Sequence, residues 1–421
     1  GGCRNIGRTR NNAPHPRSSN KHIELNLEHQ ELVFYSGERI RGALVVHLQN
    51  PVTISGVELR FKGSARAKWR EHAHEGIRRT EVEHEKEEIY FDDRFCLWGK
   101  VTDEGGWVSR EVLKRGRHLF PFQYKLPEGI PCSFEGPDAS VRYTVVGIVL
   151  RTTGDNLTTQ RHFTVLRDLD SKRDAEKRTP SPRHALEDHA ERSFSSVCCR
   201  PGRVTCSLSV IKRAYVPGEN IRVDVQLHNL SMRKSGHCDI QLKQLLTYGD
   251  TYTSAVVLEE VELTEAIRPG QRRHWKDFCL HIPPTCPSRL SKCRVIDVRY
   301  CVALEAHFPD AILYAAVPVT ITTIPEKGII PVKWSYQGTR TSVVEFIGGL
   351  VNPSHNYDTM CEFRPKYKYY DELRDVRREK HYILKLRQSP SIRRKQLIEK
   401  AELSITSRTD TSVELIGQST A

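Results

Sequence analysis

The sequence predicts an all-β protein built from two tandem β-sandwich domains, over residues 22–167 and 203–325. Three observations predict this fold. One segment of the chain is repeated in its second half, and apolar residues alternate with period two in short runs. Turn-forming residues separate these runs about every ten positions, a spacing that is typical of sandwiches. Alternation with period two directs one face of a strand to a core and the other to solvent.

The repeated segment marks the beginning of each predicted domain. Residues 34–41, with the sequence FYSGERIR, return as residues 215–222, with the sequence YVPGENIR. Each copy is followed by alternating apolar residues, which predicts a half-buried strand after a glycine turn. These apolar residues are Leu44, Val46 and Leu48 in the first copy and Val223, Val225 and Leu227 in the second.

The second half of each copy matches in the same order. Residues 126–131 (LPEGIP) correspond to residues 282–287 (IPPTCP), and residues 141–145 (VRYTV) correspond to residues 298–302 (VRYCV). Prolines within the first of these regions exclude a continuous helix there. Several landmarks in one order indicate two copies of one β-rich domain.

The remaining segments differ from the two domains in composition. Residues 1–21 are predicted to be a disordered N-terminal segment. Residues 168–202 are charged and contain Thr-Pro and Ser-Pro pairs, which favour extended chain, so we predict a flexible or partly helical linker. Residues 326–421 form a C-terminal tail predicted to be partly helical or disordered, with a charged helix over residues 370–387.

The charge of the chain indicates an affinity for acidic partners. Lys and Arg number 65 against 52 Asp and Glu, a formal net charge of +13 over 421 residues. Positive charge of this size favours acidic membrane lipids. Nucleic acid is not a predicted partner, because the basic residues are mixed with acidic ones and no nucleic-acid-binding motif accompanies them. No apolar stretch approaches the roughly 18 residues that a membrane-spanning helix needs.

The motifs of catalytic, cofactor and metal sites are missing from the sequence. It has no nucleophile elbow, no phosphate-binding Gly-Lys loop and no His-Glu-x-x-His pattern. His72 and His74, with His84, lie in a strongly charged region that is typical of a solvent-facing hairpin. Twelve cysteines without a Cys-x-x-Cys pair indicate reduced thiols. We therefore predict no catalytic residues, no cofactor and no metal, and a protein that is not an enzyme.

An ordered set of landmarks spans both predicted domains. In chain order these are residues 35–42 (YSGERIRG), 56–63 (GVELRFKG), Trp69, 118–122 (HLFPF), 131–136 (PCSFEG), 211–219 (IKRAYVPGE), 229–231 (NLS) and 320–325 (TITTIP). Over about residues 22–325, the chain resembles the arrestin-domain-containing proteins of the α-arrestin family. The resemblance implies two arrestin-like, immunoglobulin-like β-sandwich domains joined by a hinge.

The resemblance also implies a function. It implies a non-enzymatic trafficking adaptor in the cytoplasm, associated peripherally with the plasma membrane or endosomes. Such an adaptor links membrane-protein cargo to ubiquitination, endocytosis or endosomal sorting. Two alternatives on the same fold stay open: a scaffold or coat subunit similar to those of endosomal sorting coats, and a thioredoxin-type redox-linked signalling regulator.

The tail departs from the family pattern where ligases are recruited. Family members that recruit ubiquitin ligases usually carry a Pro-Pro-x-Tyr motif, which WW domains bind as an extended proline segment, and this sequence has none. The tail has RPKY at residues 364–367 instead, with aromatic flanks. We therefore expect ligases to be recruited indirectly. The candidate partner-binding residues of this segment are Phe363, Pro365, Tyr367, Tyr369 and Tyr370.

We predict that isolated WW domains bind the tail over residues 326–421 negligibly. WW grooves gain affinity from a preformed proline helix with an aromatic anchor, and the tail lacks the paired prolines. Titration of a WW-domain array into the labelled tail measures this, with a Pro-Pro-x-Tyr peptide as the positive control. A low-micromolar dissociation constant contradicts the prediction, and Tyr367→Ala then tests whether RPKY is the bound site.

Overall fold

The computed structural model describes most of both predicted domains and two short parts of the tail. The described ranges are residues 21–75, 78–99, 110–168, 186–194, 202–249, 252–264, 266–325, 333–337 and 363–370. Every regular element in these ranges is a β-strand, which confirms the all-β prediction. A search of the same ranges for helices long and apolar enough to cross a membrane found none.

Ten described strands form the first domain. They are β1 (Lys21–Leu27), β2 (Val33–Tyr35), β3 (Arg39–Leu48), β4 (Val52–Glu75), β5 (Arg78–Trp98), β6 (Glu111–Leu113), β7 (Gly116–Lys125), β8 (Phe134–Glu135), β9 (Ala139–Arg151) and β10 (Leu157–Leu166). One sheet has the order β1-β3-β7, and the other has the order β2-β10-β9-β4-β5, with β6 paired to β4 and β8 to β9.

The two sheets of the first domain pack closely against each other. Phe61 on β4 stacks on Tyr124 on β7 with ring centroids 4.1 Å apart. Leu44 on β3 approaches β9 so closely that a Cβ atom at Gly147 would lie 2.4 Å from its Cδ1 atom. The interior is therefore filled to a density that leaves no room for added atoms at this position.

Nine described strands form the second domain. They are β11 (Glu187–Phe194), β12 (Gly202–Val210), β13 (Ala214–Tyr215), β14 (Asn220–Asn229), β15 (Cys238–Tyr248), β16 (Tyr252–Thr264), β17 (Arg272–His281), β18 (Ile296–Phe308) and β19 (Ala311–Ile321). They form sheets in the orders β11-β12-β14-β17 and β13-β19-β18-β15-β16. Phe194 and Phe308 meet between these sheets with ring centroids 5.1 Å apart.

Strand β11 corrects the predicted linker. Residues 168–202 were expected to be flexible or partly helical, but residues 187–194 within this range pair in antiparallel register with β12. β11 is an edge strand whose side chains are mostly exposed, with Phe194 buried at its end. An edge strand held by backbone hydrogen bonds needs little apolar alternation, so the sequence pattern gives no sign of it.

The two copies of the repeat fold in the same way. Gly37 and Gly218 both have positive φ angles, of 83° and 96°, which favour glycine. The Glu38 carboxylate accepts a hydrogen bond from the Tyr35 backbone N–H at 2.6 Å. In the second turn, the Glu219 carboxylate accepts one from the backbone N–H of residue 216 at 3.3 Å. The predicted alternating residues after each turn are buried, which confirms the duplicated core.

The VRY landmark of each copy anchors a buried tyrosine. The Tyr143 hydroxyl donates a hydrogen bond to the Pro131 carbonyl oxygen at 2.8 Å. The Tyr300 hydroxyl donates to the Cys286 carbonyl oxygen at 2.6 Å. Each bond ties a central strand to the proline-containing loop before it, so the second set of sequence landmarks also reflects one structural feature in both domains.

The tail contains two further strands. β20 (Lys333–Tyr336) and β21 (Lys366–Tyr369) pair in antiparallel register. The prediction that the tail is partly helical or disordered is therefore wrong for these residues. The reason is the period-two pattern of apolar residues in β21, which packs against both domains as described below. The helix predicted over residues 370–387 lies, beyond Tyr370, outside the described residues.

We predict that Ile40→Asp and Ile221→Asp each destabilise their own domain. Both isoleucines are 0% exposed, and an unpaired buried carboxylate costs about 3–5 kcal/mol of unfolding free energy. Urea denaturation of each variant measures the loss.

Leu119→Asp and Ile312→Asp are matched controls in the first and second domains, because these side chains are 52% and 50% exposed. The controls are expected to stay within about 0.5 kcal/mol of the unsubstituted protein. Equal unfolding midpoints for a buried variant and its control contradict the duplicated-core interpretation.

Candidate functional site between the two domains

The β4–β5 hairpin of the first domain reaches the second domain directly. The Trp69 ring stacks on the Tyr248 ring with centroids 5.9 Å apart. The Glu88 carboxylate accepts a hydrogen bond from the Arg294 backbone N–H at 2.9 Å. The two domains therefore share an aromatic contact and a charge-assisted hydrogen bond at one side of their interface.

Residues 333–337 and 363–370, which we call the tail hairpin, form a second connection. On the first domain, the Tyr367 hydroxyl donates a hydrogen bond to the Ser133 carbonyl oxygen at 3.0 Å. The Lys366 backbone N–H donates to the Thr164 hydroxyl oxygen at 3.0 Å. β21 is therefore fixed to the first domain by both a side-chain and a backbone donor.

The end of the tail hairpin binds the second domain. The Tyr370 backbone N–H donates a hydrogen bond to the Pro217 carbonyl oxygen at 3.0 Å, and its hydroxyl donates to the Thr323 carbonyl oxygen at 2.6 Å. The Tyr369 hydroxyl lies 3.0 Å from His281 Nε2. Because one short strand contacts both sandwiches, the tail hairpin bridges the two domains.

Tyr367 lies where the two domains and the tail meet. Its side chain is 2% exposed. Burial raises the pKa of Tyr367 well above its usual value, with further contributions from Cys286 and Tyr300 of the second domain and Cys132 and Glu135 of the first. The hydroxyl therefore stays protonated and acts as a hydrogen-bond donor.

Two lysines of β21 add ion pairs at the surface of the first domain. Lys366 Nζ lies 2.9 Å from Glu31, and Lys368 Nζ lies 2.5 Å from Asp168. Lys368 also lies over the Tyr35 ring, 5.1 Å from its centroid. The two carboxylates are about half exposed, so each pair contributes about 0–1 kcal/mol.

All five sequence-predicted site residues lie in the tail hairpin, and all five are buried against the chain itself. Their role in binding a partner stays a prediction. The domain residues that the tail hairpin contacts were not predicted from the sequence. They act mainly through backbone carbonyl oxygens, which have no signature in a sequence. These domain residues are Ser133, Thr164, Pro217 and Thr323.

A cavity of about 630 Å³ opens beside the same interface. Its lining includes Arg66, Lys68, Trp69 and Arg142 of the first domain and Tyr252 of the second. Lys68 pairs with Glu83 at 2.8 Å, and Arg142 pairs with Glu135 at 2.6 Å. An acidic ligand at this cavity therefore competes with carboxylates that already neutralise its basic side chains.

Cys132 and Cys286 contribute to the electrostatics around Tyr367, but both thiols are buried and unreactive. Burial raises the pKa of Cys132 to about 11 and that of Cys286 to about 12, which disfavours the reactive thiolate. The side chains of His72 and His74 lie outside the described residues. The His84 ring is stacked on a tryptophan of β4 with centroids 5.3 Å apart.

Two family models match the two sandwiches. The arrestin (or S-antigen) N-terminal domain matches residues 22–172, and the arrestin (or S-antigen) C-terminal domain matches residues 200–326. The protein therefore carries both domains of an arrestin. The tail hairpin lies beyond both matches.

Curated relatives specify the branch of this family. The chain is 29% identical over 315 residues to arrestin domain-containing protein 17 of Caenorhabditis elegans, covering 72% of this chain and 71% of that one. It is 28% identical over 328 residues to arrestin domain-containing protein 4 of Mus musculus, covering 74% of each. Arrestin domain-containing protein 1 of Homo sapiens is 24% identical over 307 residues, which cover 72% of this chain and 64% of that one.

The chain belongs to the arrestin-domain-containing proteins, as the sequence landmarks implied. Arrestin-family proteins are non-enzymatic adaptors or scaffolds, so the chain is not an enzyme.

We predict that Tyr367→Ala loosens the tail hairpin and destabilises the protein. Truncation of a large buried aromatic side chain costs about 3–5 kcal/mol, whereas Tyr367→Phe removes one hydrogen bond and costs about 1 kcal/mol. Hydrogen exchange is the measurement. The amides of Lys366 and Tyr370 are expected to exchange faster in Tyr367→Ala.

Tyr336→Ala is the matched control, since this tyrosine of the same hairpin is 56% exposed. It is expected to leave the exchange of the Tyr370 amide nearly unchanged, so the comparison is made at that amide. Equal exchange rates in Tyr367→Ala and Tyr336→Ala contradict the bridging role of Tyr367.

Proposed function

We propose that this protein is a trafficking adaptor that links membrane-protein cargo to ubiquitination, endocytosis or endosomal sorting. Its membership of the arrestin-domain-containing proteins supports an adaptor role. Two closely packed sandwiches suit this role, because they hold loops and a tail in fixed positions while those segments contact partners. We place it in the cytoplasm, with peripheral association at the plasma membrane or endosomes.

The observation that carries the proposal is the bridging position of the tail hairpin. Its aromatic residues have the composition of a partner-binding segment, yet they are buried against both domains. A partner that binds these residues must first displace the segment from its own chain. The tail therefore acts as an internal competitor, and cargo or adaptor binding is coupled to its release.

The proposed interactions with acidic lipids and with ubiquitin ligases follow from the net charge of the chain and from the missing Pro-Pro-x-Tyr motif. The net charge of +13 supports weak, salt-sensitive binding to acidic membrane lipids. Without Pro-Pro-x-Tyr, ubiquitin ligases are recruited indirectly, through a second adaptor. The coat-subunit and redox-regulator alternatives are outcomes of the test below.

We predict that proximity labelling from the tagged full-length protein enriches transmembrane proteins together with ubiquitin-ligase or endocytic components. The Glu31→Lys/Asp168→Lys variant leaves the tail sequence intact and sets positive charges beside Lys366 and Lys368. Loss of two surface ion pairs and the added repulsion favour release by roughly 1–2 kcal/mol, a shift of roughly 5–30-fold. Labelling of tail-dependent partners is expected to rise.

Glu81→Lys/Glu191→Lys is the charge-matched control, since these carboxylates are 59% and 49% exposed and lie on β5 and β11. It is expected to label partners as the unsubstituted protein does. A single fixed complex without transmembrane proteins contradicts the adaptor proposal and favours a coat subunit. Dominant enrichment of thioredoxin-like proteins favours the redox alternative. Equal labelling by the release and control variants contradicts the coupling to tail release.

A further inference from the structure

Four side chains with metal-ligating atoms meet on the outer face of the second domain. His237 and Asp239 lie two residues apart at the start of β15, and Glu305 and His307 lie two residues apart near the end of β18. These strands are antiparallel neighbours, with Asp239 opposite Glu305. The intervening Cys238 is buried in the core. Because alternate residues share one face of a sheet, the four side chains project together on the face that points away from the core.

The polar atoms of this cluster are close to one another. Nε2 of His237 lies 3.3 Å from Oδ2 of Asp239, and Nε2 of His307 lies 3.6 Å from Oε2 of Glu305. The two imidazole rings are stacked with centroids 3.9 Å apart. One ligand atom from each of His237, Asp239 and His307 lies within 4.8 Å of the others. Lys243 binds the other oxygen of Glu305 at 2.5 Å.

The surroundings of Asp239 favour a cation. Its side chain is 8% exposed. It lies opposite Glu262 on β16 and Glu305 on β18. Lys243 pairs with Glu305, and a bound metal ion supplies positive charge to Asp239 between its acidic neighbours.

We propose that His237, Asp239 and His307 form a binding site for a divalent transition-metal ion of the zinc class. Two imidazoles and a carboxylate are ligands that zinc takes in proteins, at about 2.0–2.2 Å. Such bonds bring neighbouring ligand atoms to about 3.3 Å, and rotation of the partly exposed His237 side chain closes the remaining distance.

Glu305 orients one of the ligands, and the exposed side of the cluster leaves room for a fourth ligand. Carboxylates behind ligating histidines fix the orientation of the imidazole ring, and Glu305 stands in this relation to His307. The exposed side of the cluster leaves a fourth position for water or for a side chain of a partner. The bound ion ties the start of β15 to the end of β18, so it also stabilises the second domain. The sequence pattern predicted no metal, because these ligands lie about 70 positions apart and only the strand register brings them together.

Metal titration of the full-length protein tests the proposal. Protein freed of metal with a chelator under reducing conditions is titrated with Co²⁺, whose visible absorption reports nitrogen and oxygen ligands, and Zn²⁺ is then added to displace it. We expect one high-affinity equivalent. His307→Gln and Asp239→Asn are expected to weaken binding at least about tenfold. His189→Gln, an exposed histidine on β11 of the other sheet, is expected to leave it unchanged.

Three results of this titration overturn the proposal, and a fourth comes from the His237→Gln variant. The three titration results are sulfur-to-cobalt charge-transfer bands that show cysteine ligands, equal affinities of the His307→Gln and His189→Gln variants, and binding only at millimolar metal. Because replacement of the buried Asp239 can disturb folding, His237→Gln repeats the measurement at a partly exposed ligand. Circular dichroism verifies that each variant is folded. Loss of cobalt affinity in folded His237→Gln supports the site, and retention contradicts it.

Discussion

The position of the tail between the two domains depends on the burial of Tyr367. Burying an aromatic ring of this size contributes about 1.5–3 kcal/mol, and its hydrogen bond to the Ser133 carbonyl adds about 0.5–1.5 kcal/mol. The exposed ion pairs of Lys366 and Lys368 contribute about 0–1 kcal/mol each. The tyrosine therefore contributes more than either lysine ion pair. The lysines set the position of β21 along the first domain, where they pair with half-exposed carboxylates.

The second copy of the duplicated turn lies against Tyr370 of the tail hairpin. In the first domain, a Cβ at Gly37 would lie 3.0 Å from a side-chain atom of Glu128. In the second domain, a Cβ at Gly218 would lie 2.5 Å from the Tyr370 carbonyl oxygen. The same positive-φ glycine thus faces its own domain in one copy and the tail in the other. The two turns share a backbone conformation, and the second one lies against Tyr370.

Much of the fold was predictable because duplication repeats every local signal. The glycine turn, the alternating strand and the buried tyrosine appear twice, so each copy supports the other. β11 was missed because an edge strand with exposed side chains lacks apolar alternation. The aromatic tail segment was predicted to bind a partner, but its position between the domains was not. Its receptors, such as Ser133 and Pro217, use backbone carbonyl oxygens, and its neighbours come from distant parts of the chain.

Zero-length crosslinking of the unsubstituted protein tests the central claim, that the tail hairpin is docked on the folded domains, most directly. A carbodiimide joins lysine amines only to carboxylates in contact. We predict isopeptide bonds between Lys366 and Glu31 and between Lys368 and Asp168. The Lys68–Glu83 pair, at 2.8 Å within the first domain, is the internal positive control. If mass spectrometry finds the control crosslink while Lys366 and Lys368 stay unlinked or join unrelated carboxylates, the bridging tail is contradicted.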